Sequence, residues 1–340
     1  MNFDIEHKAL LAGVLSENRV RCNLCAHHCE LAEDQYGLCG ERVNRQGQLY
    51  TRNFGRLIAA HVDPIEKKPL NHFLPGSSSF SIAAPGCNFR CQWCQNWDIS
   101  QANAQNNPAR LAYTPATEVV RNALRSGCKS ISYTYTEPTV FFEYTLEGSK
   151  LAHENGIKNV YVTNGFMSGE MLALYLPWLD AANVDIKAFS DQAYRQYMGG
   201  RLKPVLDSCK RMKQAGVWLE ITTLVVPGVN DDPAQLKELT SFIANELGVD
   251  TPWHVSRFYP QYQYLETPPT PDATIRQAME IGAEAGLRYV YAGNTRGYSD
   301  THCPKCSTLL LRRSGLALLE NNLRQGTCPN CGERIAGVWE

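Results

Sequence analysis

The sequence predicts an α/β protein, a parallel sheet of βαβ units with a small cysteine-rich segment at each end. Three observations predict it. Between residues 76 and 298, short apolar, β-rich runs alternate with longer helical patterns, and strands recurring about every 25–45 residues with helices between them read as βαβ units. The 13 cysteines gather into groups instead of scattering. Hydrophobic residues make up 44% and charged residues 20% of the 340, an ordinary globular balance.

Residues 1–75 hold Cys22, Cys25, Cys29 and Cys39, then the run HVDPIEKKPLNHFLPGSSS. That run is dense in proline and polar residues and follows neither the helical nor the strand period, so it reads as a loop or lead-in. Its two lysines and glutamate are expected on a solvated loop or on a surface facing a substrate or partner. Residues 76–298 supply the strands FSIAA, SISYTY, NVYVT, NVDIK, VWLEITTLVV, WHVSRF and RYVYA. Between them PATEVVRNALRSG starts a helix at Pro115 and stops it at Gly127. AYRQYMGGRLKPVLDSCKRMKQAG and DPAQLKELTSFIANELG are further helical stretches. Such units fit an open or partial (β/α) barrel, and a doubly wound sheet competes with it; periodicity does not separate the two. Residues 299–340 are short, β-flavoured and close on the apolar tail IAGVW.

The formal net charge is −1, from 33 basic and 34 acidic side chains. This balance lacks the basic field of a dedicated nucleic-acid binder. The amino terminus MNFDIEHKAL mixes charges before any apolar run, so no signal peptide is expected, and no apolar stretch is long enough to span a bilayer. The expected location is the cytoplasm, where clustered CxxC spacing reads as metal binding because disulfides do not persist. Cys128 and Cys209 stand alone and are expected as small buried hydrophobes.

Cys303-Pro-Lys-Cys306 and Cys328-Pro-Asn-Cys331 are two CxxC knuckles. Their separation lets four thiolates converge tetrahedrally, which predicts a structural zinc ribbon over a rubredoxin-like iron site or redox thiols. Cys22, Cys25, Cys29 and Cys39 form one knuckle plus two single cysteines, suited to zinc or to a second iron–sulfur cluster, with His27 and His28 inside the loop as substitute ligands. In either case the metal replaces a core that so short a segment cannot build. Cys87, Cys91 and Cys94 are different. They follow a β-rich run and the turn Pro85-Gly86 and number only three. A cubane cluster has four irons, so three thiolates leave one iron open, and an open coordination position is where a metal does chemistry. The alternative is a closed structural site completed by a distant ligand such as Cys128.

The CxxxCxxC spacing after the first strand of a (β/α) unit resembles the radical S-adenosylmethionine (SAM) superfamily. The wider text is similar to its pyruvate formate-lyase activating enzyme-like branch, and most like the radical SAM enzymes of AmmeMemoRadiSam systems. DPIEKKPLNHFLPGS, GCNFRCQWCQNWDISQ, SYTYTEPTVFFEY, YVTNGF, NVDIKAF, TTLVVPGVND, WHVSRFYP and the terminal CPKC…CPNC…IAGVW carry the match. The resemblance implies a partial (β/α)6 TIM-like barrel with a [4Fe–4S] cluster on Cys87, Cys91 and Cys94 and SAM chelated to the open iron. Reductive cleavage of SAM would give a 5′-deoxyadenosyl radical that abstracts hydrogen from a substrate. It also implies an electron donor, a reductase or a flavodoxin or ferredoxin.

Other residues are read against that need. Thr134-Tyr135-Thr136-Glu137-Pro138 stands where the superfamily carries a Gly-Gly-Glu-like motif, so the resemblance makes Glu137 the contact for the SAM amino group. A carboxylate placed at a helix N-terminus fits the same position. Thr163 and Asn164 end the third strand and would approach the SAM carboxylate. Asp185 and Lys187 share one face of the fourth strand, as a structural ion pair or as SAM or substrate contacts. Pro227 and Gly228 would lie near the adenosine. His254 resembles a SAM-contacting histidine, with a core histidine as the rival reading, and Arg257 should face the other way. Trp93 is expected to cover the cluster or simply to pack.

The function expected is a radical SAM enzyme acting on a protein, including a glycyl-radical partner, or on a small molecule. No cysteine lies between Cys94 and Cys128, unlike activases that insert two ferredoxin-like motifs there. The alternative is a non-catalytic metal-ribbon adaptor that binds a protein or nucleic acid.

Overall fold

The computed structural model describes residues 6–16, 18–102, 111–295, 297 and 299–340. Its central sheet has eight strands. Strand β1 (Ala59–Pro64) runs antiparallel to β2 (Ser78–Ala83). From β2 onward all strands are parallel: β3 (Ser130–Tyr133), β4 (Lys158–Thr163), β5 (Ala181–Asp185), β6 (Trp218–Val225), β7 (Trp253–Arg257) and β8 (Val290–Gly293). Spatial order equals chain order throughout. A doubly wound sheet must reverse its order at a switch point, so this sheet is singly wound. Because β1 and β8 are its two unpaired edges, the barrel is partial and open.

Helices α1 (Ala116–Arg125), α2 (Phe142–Glu154), α3 (Gly169–Tyr175), α4 (Leu202–Gln214), α5 (Pro233–Phe242) and α6 (Asp272–Glu284) make the crossovers. Pro115 precedes α1 at φ −60°, and Gly127 follows it at φ +66°, as the sequence predicts. The stretch 193–216 differs from the single helix expected. Tyr194–Met198 is one wide turn that ends at Gly199 (φ +73°), and α4 begins afresh at Leu202. Only a residue tolerant of the left-handed region permits that break.

Alternation splits the strands into two faces. Ile131, Tyr133, Tyr161, Val184 and Ile221 pack in the main core with the helices. The inner face carries Ser79, Ser132, Asn183, Glu220 and Thr222, all buried. The lead-in is irregular between β1 and β2, as expected of a loop, but it is not a solvated surface: Glu66 and Lys68 are buried and only Lys67 of the three charged residues is exposed. Ile65, Leu70, Phe73 and Leu74 pack on Val160 and Ala181 and plug the barrel base, with Trp218 and Val338 beside them. Their irregular spacing hides them from any periodic search. Glu220 accepts hydrogen bonds from the backbone N–H groups of Asn71 (3.0 Å) and His72 (2.8 Å), fixing the plug to β6.

The amino-terminal segment forms two small three-stranded sheets. The carboxy-terminal segment forms one antiparallel sheet of Thr301–His302, Leu309–Ser314 and Ala317–Asn321. Its tail returns to the barrel base, where Leu74 N–H donates to the Val338 carbonyl (2.7 Å) and Val338 N–H to the His72 carbonyl (2.8 Å).

Candidate active site

The chain leaves β2 through Pro85 and Gly86 at the carboxyl end of the first parallel strand, the end where barrel enzymes carry their chemistry. Gly86 has φ +99°, and a Cβ there would lie 2.7 Å from Glu41 Cγ and 3.3 Å from the Cys39 carbonyl oxygen. A glycine is required, because the amino-terminal segment presses against this turn.

Cys87 Sγ accepts a hydrogen bond from Phe89 N–H (3.3 Å) and lies 3.9 Å from Asn164 Nδ2, a second donor. Cys94 Sγ lies 3.2 Å from Ser100 Oγ. Burial pushes the Cys87 thiol up, and Glu137, Cys91 and Cys94 push it further. Cys91 is pushed up to about 12 by burial and Cys94 against the opposing charge of Lys187. Cys128 lies just before β3, at the opposite strand end from this loop, and Cys209 is buried in α4, so neither supplies a fourth thiolate.

Glu137 is 2% exposed. Its carboxylate accepts from Thr139 N–H (3.1 Å), Thr139 Oγ1 (2.6 Å), Thr163 Oγ1 (2.7 Å) and Asn164 N–H (2.9 Å). Burial nevertheless raises its pKa above the ordinary carboxylate value. Asn164 also donates through Nδ2 to Asn88 Oδ1 (2.7 Å) and accepts from Phe166 N–H (2.9 Å). Glu137, Thr163 and Asn164 thus form one network with the cysteine loop.

Asp185 and Lys187 are paired at 2.9 Å. Although burial opposes its charge, Asp185 and Cys91 hold Lys187 above the usual lysine range. Asp185, Thr222, His254 and Tyr291 are register partners on four successive strands, one row across the inner face. His254 Nε2 lies 2.7 Å from Glu220 Oε2, so the histidine joins the row to the plug network below it. Arg257 pairs with Asp272 at 3.0 Å. Trp93 is buried against Tyr197 and Tyr264, with ring centroids at 5.7 and 5.3 Å. Pro227 and Gly228 lie in a turn organised by Asn230, whose Nδ2 donates to the Lys187 carbonyl (2.7 Å) and whose Oδ1 accepts from Val226 N–H (2.6 Å).

Two residues of this site escape sequence reasoning. Asn88 lies inside GCNFRC, where attention goes to the cysteines. Asn230 lies in PGVND, and only its position after a strand end hints at a turn role.

The carboxy-terminal cysteines make a different kind of site. Cys303 and Cys331 Sγ are 3.6 Å apart, as are Cys306 and Cys328 Sγ. Four thiolates about 2.3 Å from one tetrahedral zinc stand about 3.8 Å from one another. All four lie within 4.8 Å of one another, and among the described residues no other trio of His, Cys, Asp or Glu is so tight. The ribbon cysteines suit one ion. The Cys87 group, more widely set and one ligand short, suits an open cluster.

Residues 81–240 match the family model of the Radical SAM superfamily. The chain is 43% identical over 332 residues to an uncharacterized protein of Methanocaldococcus jannaschii, covering 96% of this chain and 98% of that one. It is 26% identical over 172 residues to the pyruvate formate-lyase-activating enzyme of Clostridium pasteurianum, covering 48% of this chain and 69% of the relative. A radical SAM methyltransferase from Sphaerobacter thermophilus shares the fold at 16% identity with a TM-score of 0.51, over 70% of this chain and 71% of that one. With its three-cysteine loop at the head of a singly wound parallel barrel, the chain belongs to the radical SAM superfamily.

Proposed function

We propose that this chain is a hydrogen-abstracting radical SAM enzyme whose cluster is held by Cys87, Cys91 and Cys94. Membership of the superfamily carries SAM cleavage through an iron–sulfur cluster, the one-electron chemistry that the cofactors supply. The reading rests above all on the three-thiol loop standing beside the Glu137–Thr163–Asn164 network at the strand ends. Within it, Asn164 and Phe89 N–H direct donors at the Cys87 sulfur, and hydrogen bonds to cluster sulfurs tune reduction potential. Lys187 brings positive charge next to Cys91. Asp185, Thr163 and His254 are the groups we assign to SAM or substrate, and Glu137 serves chiefly by fixing the Asn164 backbone. Trp93, Tyr197 and Tyr264 keep water from one flank of the loop.

The substrate class is a protein or small molecule with a polar reacting segment. Thr222 Oγ1, in the row with Asp185 and His254, is buried without a hydrogen-bond partner among the described residues, and an unpaired buried polar atom favours a polar guest. Activation of a glycyl-radical partner is supported by the similarity to the Clostridium activating enzyme. The electron donor is assigned to a flavodoxin, ferredoxin or reductase, and the setting to the cytoplasm. No helix among the described residues is long and apolar enough to cross a membrane. The adaptor alternative is disfavoured by the way the ribbon is used: Arg313 Nη2 donates to the Asn71 carbonyl (2.7 Å), tying it to the barrel base.

Anaerobic reaction of the cluster-loaded chain with dithionite and SAM tests this reading. We expect 5′-deoxyadenosine from the native chain and none above background from Cys91→Ala. Equal release from both, or none from a native chain with an intact cluster, would reject it.

A further inference from the structure

We propose that Cys22, Cys25, Cys29 and Cys39 hold a second [4Fe–4S] cluster and not a zinc ion. The argument is geometric and comparative. In the ribbon, four thiols crowd within 4.8 Å of one another, the span of one tetrahedral ion. In the amino-terminal group no three thiols come that close, although all four residues are described. They nonetheless lie together: Cys22 N–H donates to the Cys29 carbonyl (2.9 Å), and a Cβ at Gly37 would stand 3.8 Å from both Cys29 Sγ and Cys39 Sγ. The Cys87 loop is likewise set more widely than the ribbon. A cubane core carries each thiolate on a different iron, so its sulfurs stand farther apart than four on one ion.

Local structure fits a cluster as well. Arg42 is 1% exposed, paired with Glu143 at 2.5 Å and close enough to feel Cys22 and Cys39, so buried positive charge faces the thiolates. Each histidine considered as a substitute ligand has one ring nitrogen hydrogen-bonded within the protein. His27 Nε2 lies 2.8 Å from the Asn88 carbonyl and His28 Nδ1 3.3 Å from Asn23 Oδ1. The first of these contacts, with Arg90 Nη2 donating to the Leu38 carbonyl, joins the two cysteine loops directly.

Metal and sulfide analysis of the full chain, purified anaerobically from iron-replete cells, decides the matter. A second cubane cluster predicts about eight irons, about eight sulfides and about one zinc per chain. About four irons with about two zincs would overturn the proposal, as would about six irons with a [2Fe–2S] Mössbauer signature. A Cys87→Ala/Cys91→Ala/Cys94→Ala variant should keep about four irons, and its reduced EPR signal should not change on adding SAM. An iron-free variant holding about two zincs would contradict the assignment. If that variant does not fold, the native stoichiometry alone decides.

Discussion

Asn164 joins more of the site than its place in YVTNGF indicates. One side chain reaches Asn88 and the Cys87 sulfur, while its backbone N–H binds Glu137. Replacing such an outer-shell partner commonly costs 10–100-fold in activity. Asn164→Ala should therefore lower the rate of 5′-deoxyadenosine release by about 10-fold or more with iron content retained, measured by turnover beside Mössbauer spectra. Glu137 makes a separate prediction. Glu137→Gln keeps an acceptor for Thr139 and Thr163 but sets an NH2 group against Asn164 N–H, so it should cost about 1–3 kcal/mol of stability, read as a lower denaturation midpoint. If stability is unchanged and only the KM for SAM moves, Glu137 is a SAM ligand and not a positioning residue. Polar residues at strand ends were legible as site candidates because parallel strands are otherwise apolar. Asn88 was not, since nothing in cysteine spacing distinguishes the residues between ligands.

The plug of residues 65–74 gives the barrel base its pH sensitivity. His72 is wholly buried, with Tyr291 Oη 2.6 Å from Nε2 and the Ala336 carbonyl 2.8 Å from Nδ1. Burial lowers its pKa to about 4. The charged and titratable groups facing it are Glu220, whose charge opposes the shift, His254 and Arg313, with Tyr291 and Tyr289 packed on the ring. Between the ordinary histidine value and about 4, the unfolded chain binds a proton that the folded chain refuses. Stability is therefore full above that window and falls as pH drops through it, by about 3 kcal/mol at most. Melting midpoints recorded from pH 7 to pH 4 should decline more for the native chain than for His72→Gln, about neutral in this respect. Gly86→Ala tests the other end of the barrel. The residue would need φ +99° and overlap Glu41, so cluster incorporation should fall along with stability, by about 1–3 kcal/mol. Strand runs and the Pro115–Gly127 helix were readable because each obeys a local period or a terminal signal. The plug was not, because its apolar residues meet the barrel without repeating.

At the scale of the whole molecule, both cysteine-rich ends close on the barrel. The amino-terminal loop touches the active-site loop, and the ribbon and its tail brace the base. Removing the ribbon metal should loosen more than the ribbon. In a Cys306→Ala/Cys331→Ala variant we expect loss of zinc, protease cleavage within 299–340 and a melting midpoint several degrees lower for the barrel. The sequence made the βαβ succession plain, and the resemblance supplied the partial barrel. Pairing order itself is not a local property, which is why Ile131, Tyr161 and Ile221 could have belonged to either architecture until their neighbours were known. The same limit applies to metals: CxxC spacing identified all three groups, but only the separation of their sulfurs distinguishes one ion from a cluster.

The central claim is that the Cys87–Cys91–Cys94 loop binds SAM through an iron that the protein leaves open. Electron–nuclear double resonance of the reduced chain with SAM carrying a magnetic nitrogen label in its amino group tests it most directly. We predict a label coupling to the reduced cluster that disappears in Cys91→Ala. A reduced native cluster whose spectrum ignores saturating labelled SAM would contradict the account.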